Sequence, residues 1–257
     1  MAARSETGSA LEILGVDIGG SAIKAAPVDI STGILTAARV RTPTPAESTP
    51  AALMEILRQT IEGFSWTGPI GCAFPGPVVD RIVRTAVNLH PTWVGLDGAE
   101  AMRSALGRDV AFVNDADAAG IAEVRLGAAR GRSDTVVVLT FGTGIGSALF
   151  TGGTLVPNTE LGEVRLGEET AETYASARTR AQLELSYDIW AGRVSTVLGL
   201  YEEILYPGLF VIGGGISSDW RRFSPHLACR TPVVPARFAE NAGIVGAALW
   251  AGDHVTE

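Results

Sequence analysis

The feature that most constrains this 257-residue chain is a device it uses twice. The segments 17–26 (DIGGSAIKAA) and 141–150 (FGTGIGSALF) both read as a strand end, a glycine-rich tip and a returning strand. In the first half, strands at Glu12 to Ile18 and Ala22 to Asp29 flank the tip. Ser31-Thr32-Gly33 then turns the chain into a third strand, Ile34 to Arg41, and Thr42 to Pro45 reads as a loop. In the second half, Thr135 to Phe141 and Ile145 to Phe150 flank the tip, and Thr151-Gly152-Gly153 turns the chain toward another strand. Each meander leads into helices and strands. The first half has a helix opened by Thr49-Pro50, with Leu53, Ile56, Leu57 and Ile61 at helical spacing. Strand Ile70 to Phe74 follows, then helix Ala99 to Leu106 stopped by Gly107, strand Val110 to Val113 and helix Ala116 to Leu126. The second half has a long helix from Ser186 to Leu205, strand Leu209 to Ile212 and a closing helix from about Glu240 to Trp250. A glycine-tipped hairpin followed by α/β units, repeated, predicts an α/β fold of two lobes with a cleft between them.

Composition narrows what such a fold can do. With 46% apolar and 19% charged residues the chain is not of the disordered class. Its longest apolar stretch, Thr135 to Phe150, is interrupted by glycines and does not reach membrane-span character. The opening MAARSETGSA lacks the apolar core of a signal peptide, so a short polar tail and a cytoplasmic location are expected. A net charge of −8 argues against a general nucleic-acid binder. Cys72 and Cys229 lack metal-ligand spacing, which favours two reduced thiols over a zinc site.

Candidate chemistry sits at the strand ends. Gly19-Gly20-Ser21, Gly142-Thr143-Gly144 and Gly213-Gly214-Gly215 each let backbone N–H groups face an anion. Singly each is an ordinary turn; three in a duplicated frame favour phosphate-binding surfaces, although none matches a P-loop or a dinucleotide fingerprint. Lys24, the only lysine, reads either as a point charge for a phosphate or as a solvated strand residue. Asp17 reads as a water-mediated Mg²⁺ ligand or as a turn residue. Asn114-Asp115 joins a strand to a helix, where a carboxylate either caps the helix or accepts a proton from a hydroxyl oriented by Asn114. Glu160, Glu163, Glu168, Glu169 and Glu172 crowd one segment, and one or two of them suit a sugar pocket. Residue types and spacing alone thus lead to a two-lobed phosphotransferase or nucleotide-hydrolysing protein, with the acceptor open.

In order along the chain, LGVDIGGSAIKAAPVD, FPGPV, NLHPTWVG, VNDADAAGIAE, VVVLTFGTGIGSALF, NTELG, LFVIGGGIS, RTPVVPA and NAGIVGAALWA resemble the ROK family of bacterial sugar kinases. Within it they are most similar to the actinobacterial branch that uses polyphosphate. The resemblance implies the two-lobed actin-like ATPase (ribonuclease H-like) fold with a central cleft. Residues 1–114 would form the N-terminal lobe, completed by the C-terminal helix of about 240–257, and 115–239 the C-terminal lobe. It also implies that Asp115 deprotonates a sugar 6-hydroxyl, with Asn114 beside it as a sugar ligand. Gly19, Gly20, Ser21 and Gly142, Thr143, Gly144 would be the two phosphate motifs, and Gly213, Gly214 and Gly215 the donor-side motif. Asp17 would lie near Mg²⁺, ATP or polyphosphate would be the donor, no zinc is expected, and a homodimer is implied.

One departure bears on the acceptor. Where the family reads Glu-Leu-Gly-His this chain reads Glu160-Leu161-Gly162-Glu163, while Glu172 keeps the spacing of the second sugar-binding glutamate. A carboxylate only accepts hydrogen bonds, whereas imidazole also donates. Three carboxylates around one ligand repel and raise at least one pKa. Several outcomes follow: glucose or a close hexose still binds while Glu163 turns away or pairs with Arg165; the acceptor is an amino sugar or a cyclitol; or the protein binds sugar or nucleotide without catalysis. A basic track for polyphosphate has Arg130, Arg132, Arg221 and Arg222 as candidates.

Overall fold

The computed structural model describes residues 11–255; the expected N-terminal tail lies outside them. Strands β1 (Glu12–Ile18) and β2 (Ala22–Asp29) form the first hairpin, and Gly19 N–H closes its tip on the Ala22 carbonyl at 3.0 Å. The expected third strand is two. β3 (Ile34–Leu35) pairs with one end of β2, and β4 (Val40–Pro43) pairs with the other. Between them the chain leaves the sheet so that Arg39 reaches Asn241 at 2.7 Å and Glu240 at 3.0 Å beside the closing helix. The loop expected over Thr42 to Pro45 therefore begins only at Thr44, because Thr42 and Pro43 belong to β4.

Helix α1 (Pro50–Gly63) is capped by Thr49 with proline at its first position, and it buries Leu53, Leu57 and Ile61. Strand β5 (Ile70–Phe74) leads to a small hairpin of β6 (Val78–Val79) and β7 (Ile82–Val83). Helix α2 (Gly98–Leu106) ends on Gly107 in the left-handed conformation, and β8 (Val110–Asn114) runs straight into α3 (Asp115–Arg125). The second half has β9 (Val136–Phe141), β10 (Ile145–Thr151) and β11 (Thr154–Val156), then the short pair β12 (Arg165–Leu166) and β13 (Glu169–Thr170). Helices α4 (Ala171–Ala175), α5 (Ala177–Gln182) and α6 (Tyr187–Leu205) precede β14 (Leu209–Gly213). Helix α7 (Trp220–Phe223), β15 (Val233–Pro235) and α8 (Ala242–His254) complete the described chain.

The two halves repeat one topology. The first sheet runs β3-β2-β1-β5-β8, with β4 also on β2, and the second runs β11-β10-β9-β14-β15. In both, an antiparallel meander is extended by two parallel strands. Helix α8 lies against β1, β5 and β8, and α3 lies against β9 and β10. The two helices pack on each other, joining both sheets in one apolar core that includes Ile13, Val113, Ile121, Val138, Val211 and Ile244. That contact is backbone to backbone: a Cβ on Gly246 would stand 1.6 Å from the Ala118 carbonyl oxygen. Any larger residue there would force the helices apart. Strands β1, β5 and β8 of the first sheet and β9 and β14 of the second end at one cleft, where β8 passes into α3. No helix among the described residues is long and apolar enough to cross a membrane.

Candidate active site

The strand-to-helix junction at Asn114-Asp115 is shaped by its own side chains. Asn114, only 5% exposed, caps α3 by accepting the Asp117 N–H at 3.0 Å, which leaves its amide nitrogen as the remaining donor. Asp115 Oδ1 accepts the adjacent Ala116 N–H at 2.8 Å. Loss of hydration first, then the charges of Asp17, Glu160 and Asp117, push the Asp115 pKa up to about 7, against the pull of that N–H.

A cleft of about 740 Å³ opens over this junction. It is lined by Gly19, Gly20 and Ser21 from the first tip and by Gly142, Thr143 and Gly144 from the second. Asn114, Asp115, Glu160, Glu163, Glu172 and Gly214 face the same space. Glu160 and Glu163 come from one turn, in which the Glu163 N–H bonds the Glu160 carbonyl at 3.0 Å. Desolvation, followed by the charges of Glu163 and Glu172, raises the Glu160 pKa above its usual range. Glu172 Oε2 accepts the Ile145 N–H at 3.0 Å. Its carboxylate lies so close over the second tip that a Cβ on Gly144 would be 2.0 Å from Oε2. Any side chain there would have to push that carboxylate aside.

Some expected residues stand outside the cleft lining. Gly213 is buried at the end of β14, and Gly215 begins the 3-10 turn beyond it, so Gly214 alone of the three lines the cleft. Lys24 is outside the lining, and its Nζ bonds Asp17 Oδ2 at 3.0 Å, the two being cross-strand partners in the β1–β2 hairpin. Asp17 lies just below the lining, near enough to Asp115 to raise its pKa. Glu168 and Glu169 lie on the β12–β13 hairpin, away from the cleft. Arg165 donates to the Glu168 carbonyl at 3.2 Å, and no ion pair with Glu163 forms among the described residues. Arg130, Arg132, Arg221 and Arg222 do not line the cleft; Arg132 pairs with Asp134, and Arg222 stacks on Tyr187. Among the described residues the one cation in the lining is Arg178, whose backbone N–H bonds the Gly142 carbonyl at 3.0 Å.

The ROK family model matches residues 13–173. A polyphosphate glucokinase from Mycobacterium tuberculosis is 44% identical to this chain over 236 residues, spanning 91% of this chain and 89% of that protein. The chain belongs to the ROK family. Another ROK relative, the Mycobacterium leprae polyphosphate glucokinase, is 42% identical over 243 residues, or 94% of this chain and 75% of that protein. The crystal structure of an inorganic polyphosphate/ATP-glucomannokinase from Arthrobacter sp. strain KM superposes with a TM-score of 0.90 at 41% identity, covering 95% of this chain and 99% of that one. A Streptomyces griseus ROK glucokinase, solved with glucose and AMPPNP, shares the fold at a TM-score of 0.79 and 24% identity over 93% of this chain and 98% of that one. The architecture is therefore the actin-like ATPase fold of ROK sugar kinases, and the resemblance to the polyphosphate branch stands.

The residues present suit a magnesium ion. Among the described residues no group of three or more acidic, cysteine or histidine side chains is placed to hold a metal ion by itself. Mg²⁺ keeps most of its waters and takes one or two carboxylates together with substrate phosphates; Asp17, at the base of the first tip and paired with Lys24, is the carboxylate such an ion would use.

Proposed function

We propose that this ROK protein is a hexose kinase that transfers a phosphoryl group from ATP or polyphosphate to the 6-hydroxyl of glucose or a close hexose. One observation carries the reading most strongly. Asp115, its pKa near 7, shares one cleft with two glycine tips suited to phosphates and three carboxylates suited to hydroxyls.

Ionised Asp115 takes the proton from O6 of the sugar, and O6 bonds to the terminal phosphorus as the bond to the bridging oxygen breaks. ADP, or a polyphosphate one unit shorter, leaves. The Asn114 amide and the carboxylates of Glu160 and Glu172 orient the acceptor hydroxyls. The N–H groups at Gly19 to Ser21 and at Gly142 to Gly144 cradle the donor phosphates, with Arg178 as their countercharge. Gly213, Gly214 and Gly215 border the donor end. Mg²⁺ bound near Asp17 would neutralise charge on the donor phosphates. We read the lobes as 1–114 with the closing helix and 115–239, and the protein as a cytoplasmic homodimer, on the strength of the family.

A specific observation favours a second acceptor class. Glu163 and Glu172 both raise the Glu160 pKa, and a cationic amino sugar would relieve that crowding. A coupled assay with glucose, mannose, glucosamine and a cyclitol, each against Mg²⁺-ATP and polyphosphate, tests both readings. Turnover on glucose supports the first, turnover on glucosamine alone supports the second, and silence across the panel with a folded protein overturns both.

A further inference from the structure

Two residues to which the proposed chemistry gives no role sit where α3, the Glu160 segment and the start of β6 meet. Asp117 lies on the first turn of α3, two residues past Asp115, and is 1% exposed. Its Oδ2 accepts the Asn158 backbone N–H at 2.8 Å, while its Oδ1 is buried with no partner. Burial, with a smaller push from Glu160, raises its pKa to about 7. A carboxylate kept in such surroundings costs stability, and a single N–H needs only a neutral acceptor.

Asn158 makes three polar contacts to two residues, Asp117 and Val78. Its backbone is in the left-handed region at φ 57°. Its N–H goes to Asp117, its Oδ1 accepts the Val78 N–H at 2.7 Å, and its Nδ2 donates to the Val78 carbonyl at 2.9 Å. Val78 follows the cleft-lining segment Pro75 to Pro77 on the first-sheet side, whereas Asn158 follows β11 on the second. Beyond Asn158 the segment carrying Glu160 and Glu163 is pinned again. Ser147 Oγ donates to the Thr159 carbonyl at 2.6 Å and accepts the Leu161 N–H at 2.9 Å. The Tyr201 hydroxyl donates to the Leu161 carbonyl at 2.6 Å. The Glu160 segment is thus tied to α3 and to the Pro75–Val78 segment through one asparagine.

We propose that Asp117 and Asn158 are positioning residues for the acceptor, a clamp that fixes the Glu160 and Glu163 carboxylates and the Pro75–Val78 segment relative to Asp115. This rests on the hexose-kinase reading. The clamp acts on the acceptor end alone, since Asp117, Asn158 and Val78 make none of the contacts that shape the Gly19–Ser21 and Gly142–Gly144 tips.

The test uses Asp117→Ala, Asp117→Asn and Asn158→Gly. Glycine keeps the left-handed backbone and its N–H to Asp117 while removing the hold on Val78. Asparagine at 117 keeps an oxygen for the Asn158 N–H. Asp117→Ala and Asn158→Gly should raise the glucose KM at least roughly tenfold, leaving the donor KM within about twofold, as expected for losing one buried polar tie. Asp117→Asn should restore the glucose KM to within about threefold of wild type. Equal shifts in both KM values, or none, would overturn the proposal. Should Asp117→Ala fail to fold, Asn158→Gly carries the same split. Amide hydrogen exchange provides a readout that needs no substrate: both variants should speed exchange in 158–163 and 75–79 together. If the wild-type protein turns over no hexose, the kinase reading falls, and exchange decides the clamp alone; unchanged protection in either segment would then refute it.

Discussion

Removing the Asp115 carboxylate should make the protein more stable at neutral pH. The group's pKa is displaced from 3.8 to about 7, mainly by lost hydration and secondarily by the charges of Asp17 and Glu160. At about 1.4 kcal/mol per pKa unit, that displacement sets a ceiling of about 4 kcal/mol on the cost of holding the ionised form in the fold. Asp115 still borders the open cleft, so screening and relaxation reduce the realised cost to about 1–2 kcal/mol. The sign follows from proton uptake. Between pH 3.8 and about 7 the folded protein holds a proton that the unfolded chain has released, so stability falls as pH rises through that window and levels off above it. Asp115→Asn keeps an oxygen for the Ala116 N–H and discards the charge. Thermal unfolding without Mg²⁺ or nucleotide should therefore show Asp115→Asn melting about 3–6 °C above wild type at pH 8. About a third of that gain should remain at pH 5. A variant that melts at or below wild type at pH 8, or differs by the same amount at both pH values, would refute the account of Asp115 as a burdened carboxylate.

Other outcomes follow from the same geometry. For wild-type protein, kcat/KM for glucose should rise roughly tenfold from pH 6 to pH 8 as Asp115 ionises, and a flat stopped-assay profile over that range would remove it as the base. Gly144→Ala places a carbon 2.0 Å from Glu172 Oε2 and must displace that carboxylate. The expected glucose KM is roughly tenfold higher by initial rates, and unchanged kinetics would show that Glu172 does not hold the acceptor. Glu163→Gln removes one of the charges raising the Glu160 pKa, so it should shift relative kcat/KM from glucosamine toward glucose by about threefold; a shift the other way contradicts the crowding argument. Arg178→Ala, removing the cation from the cleft lining, should raise the KM for both ATP and polyphosphate about tenfold or more.

Much of the fold was legible because local signals and tertiary structure agree. The two glycine tips, the Thr49-Pro50 start of α1, the Gly107 stop of α2 and the apolar runs of β5, β9 and β14 all appear where patterning puts them. What stayed hidden was decided by contacts remote in sequence. The break between β3 and β4 serves Arg39, whose partners are about two hundred residues away. The β6–β7 hairpin turns on Asp80 and Arg81, both at positive φ, without the glycine or asparagine that marks such turns. Strand β15 is bordered by Pro232 and ends in Pro235, and it is tolerated as an edge strand. In the site, residue type pointed to Asp115, Asn114 and the glutamates, because few side chains can accept a proton or bind hydroxyls. The pairing of Lys24 with Asp17 was not legible, because hairpin register sets it. Arg178 and the Asp117–Asn158 pair carried no local signal: one is an arginine among many, and the others acquire meaning only where α3, β11 and β6 converge.

The most direct test of the central claim is phosphoryl transfer to glucose by wild type and Asp115→Asn, read with an enzyme that oxidises only the 6-phosphate. Wild type should form glucose 6-phosphate with Mg²⁺-ATP, polyphosphate or both, and the variant should lose at least about a hundredfold in kcat while keeping its fold and its donor binding. Product from Asp115→Asn at a rate near wild type would contradict the assignment of Asp115 as the base. Phosphorylation at another hydroxyl by the wild-type protein would contradict the placement of the acceptor.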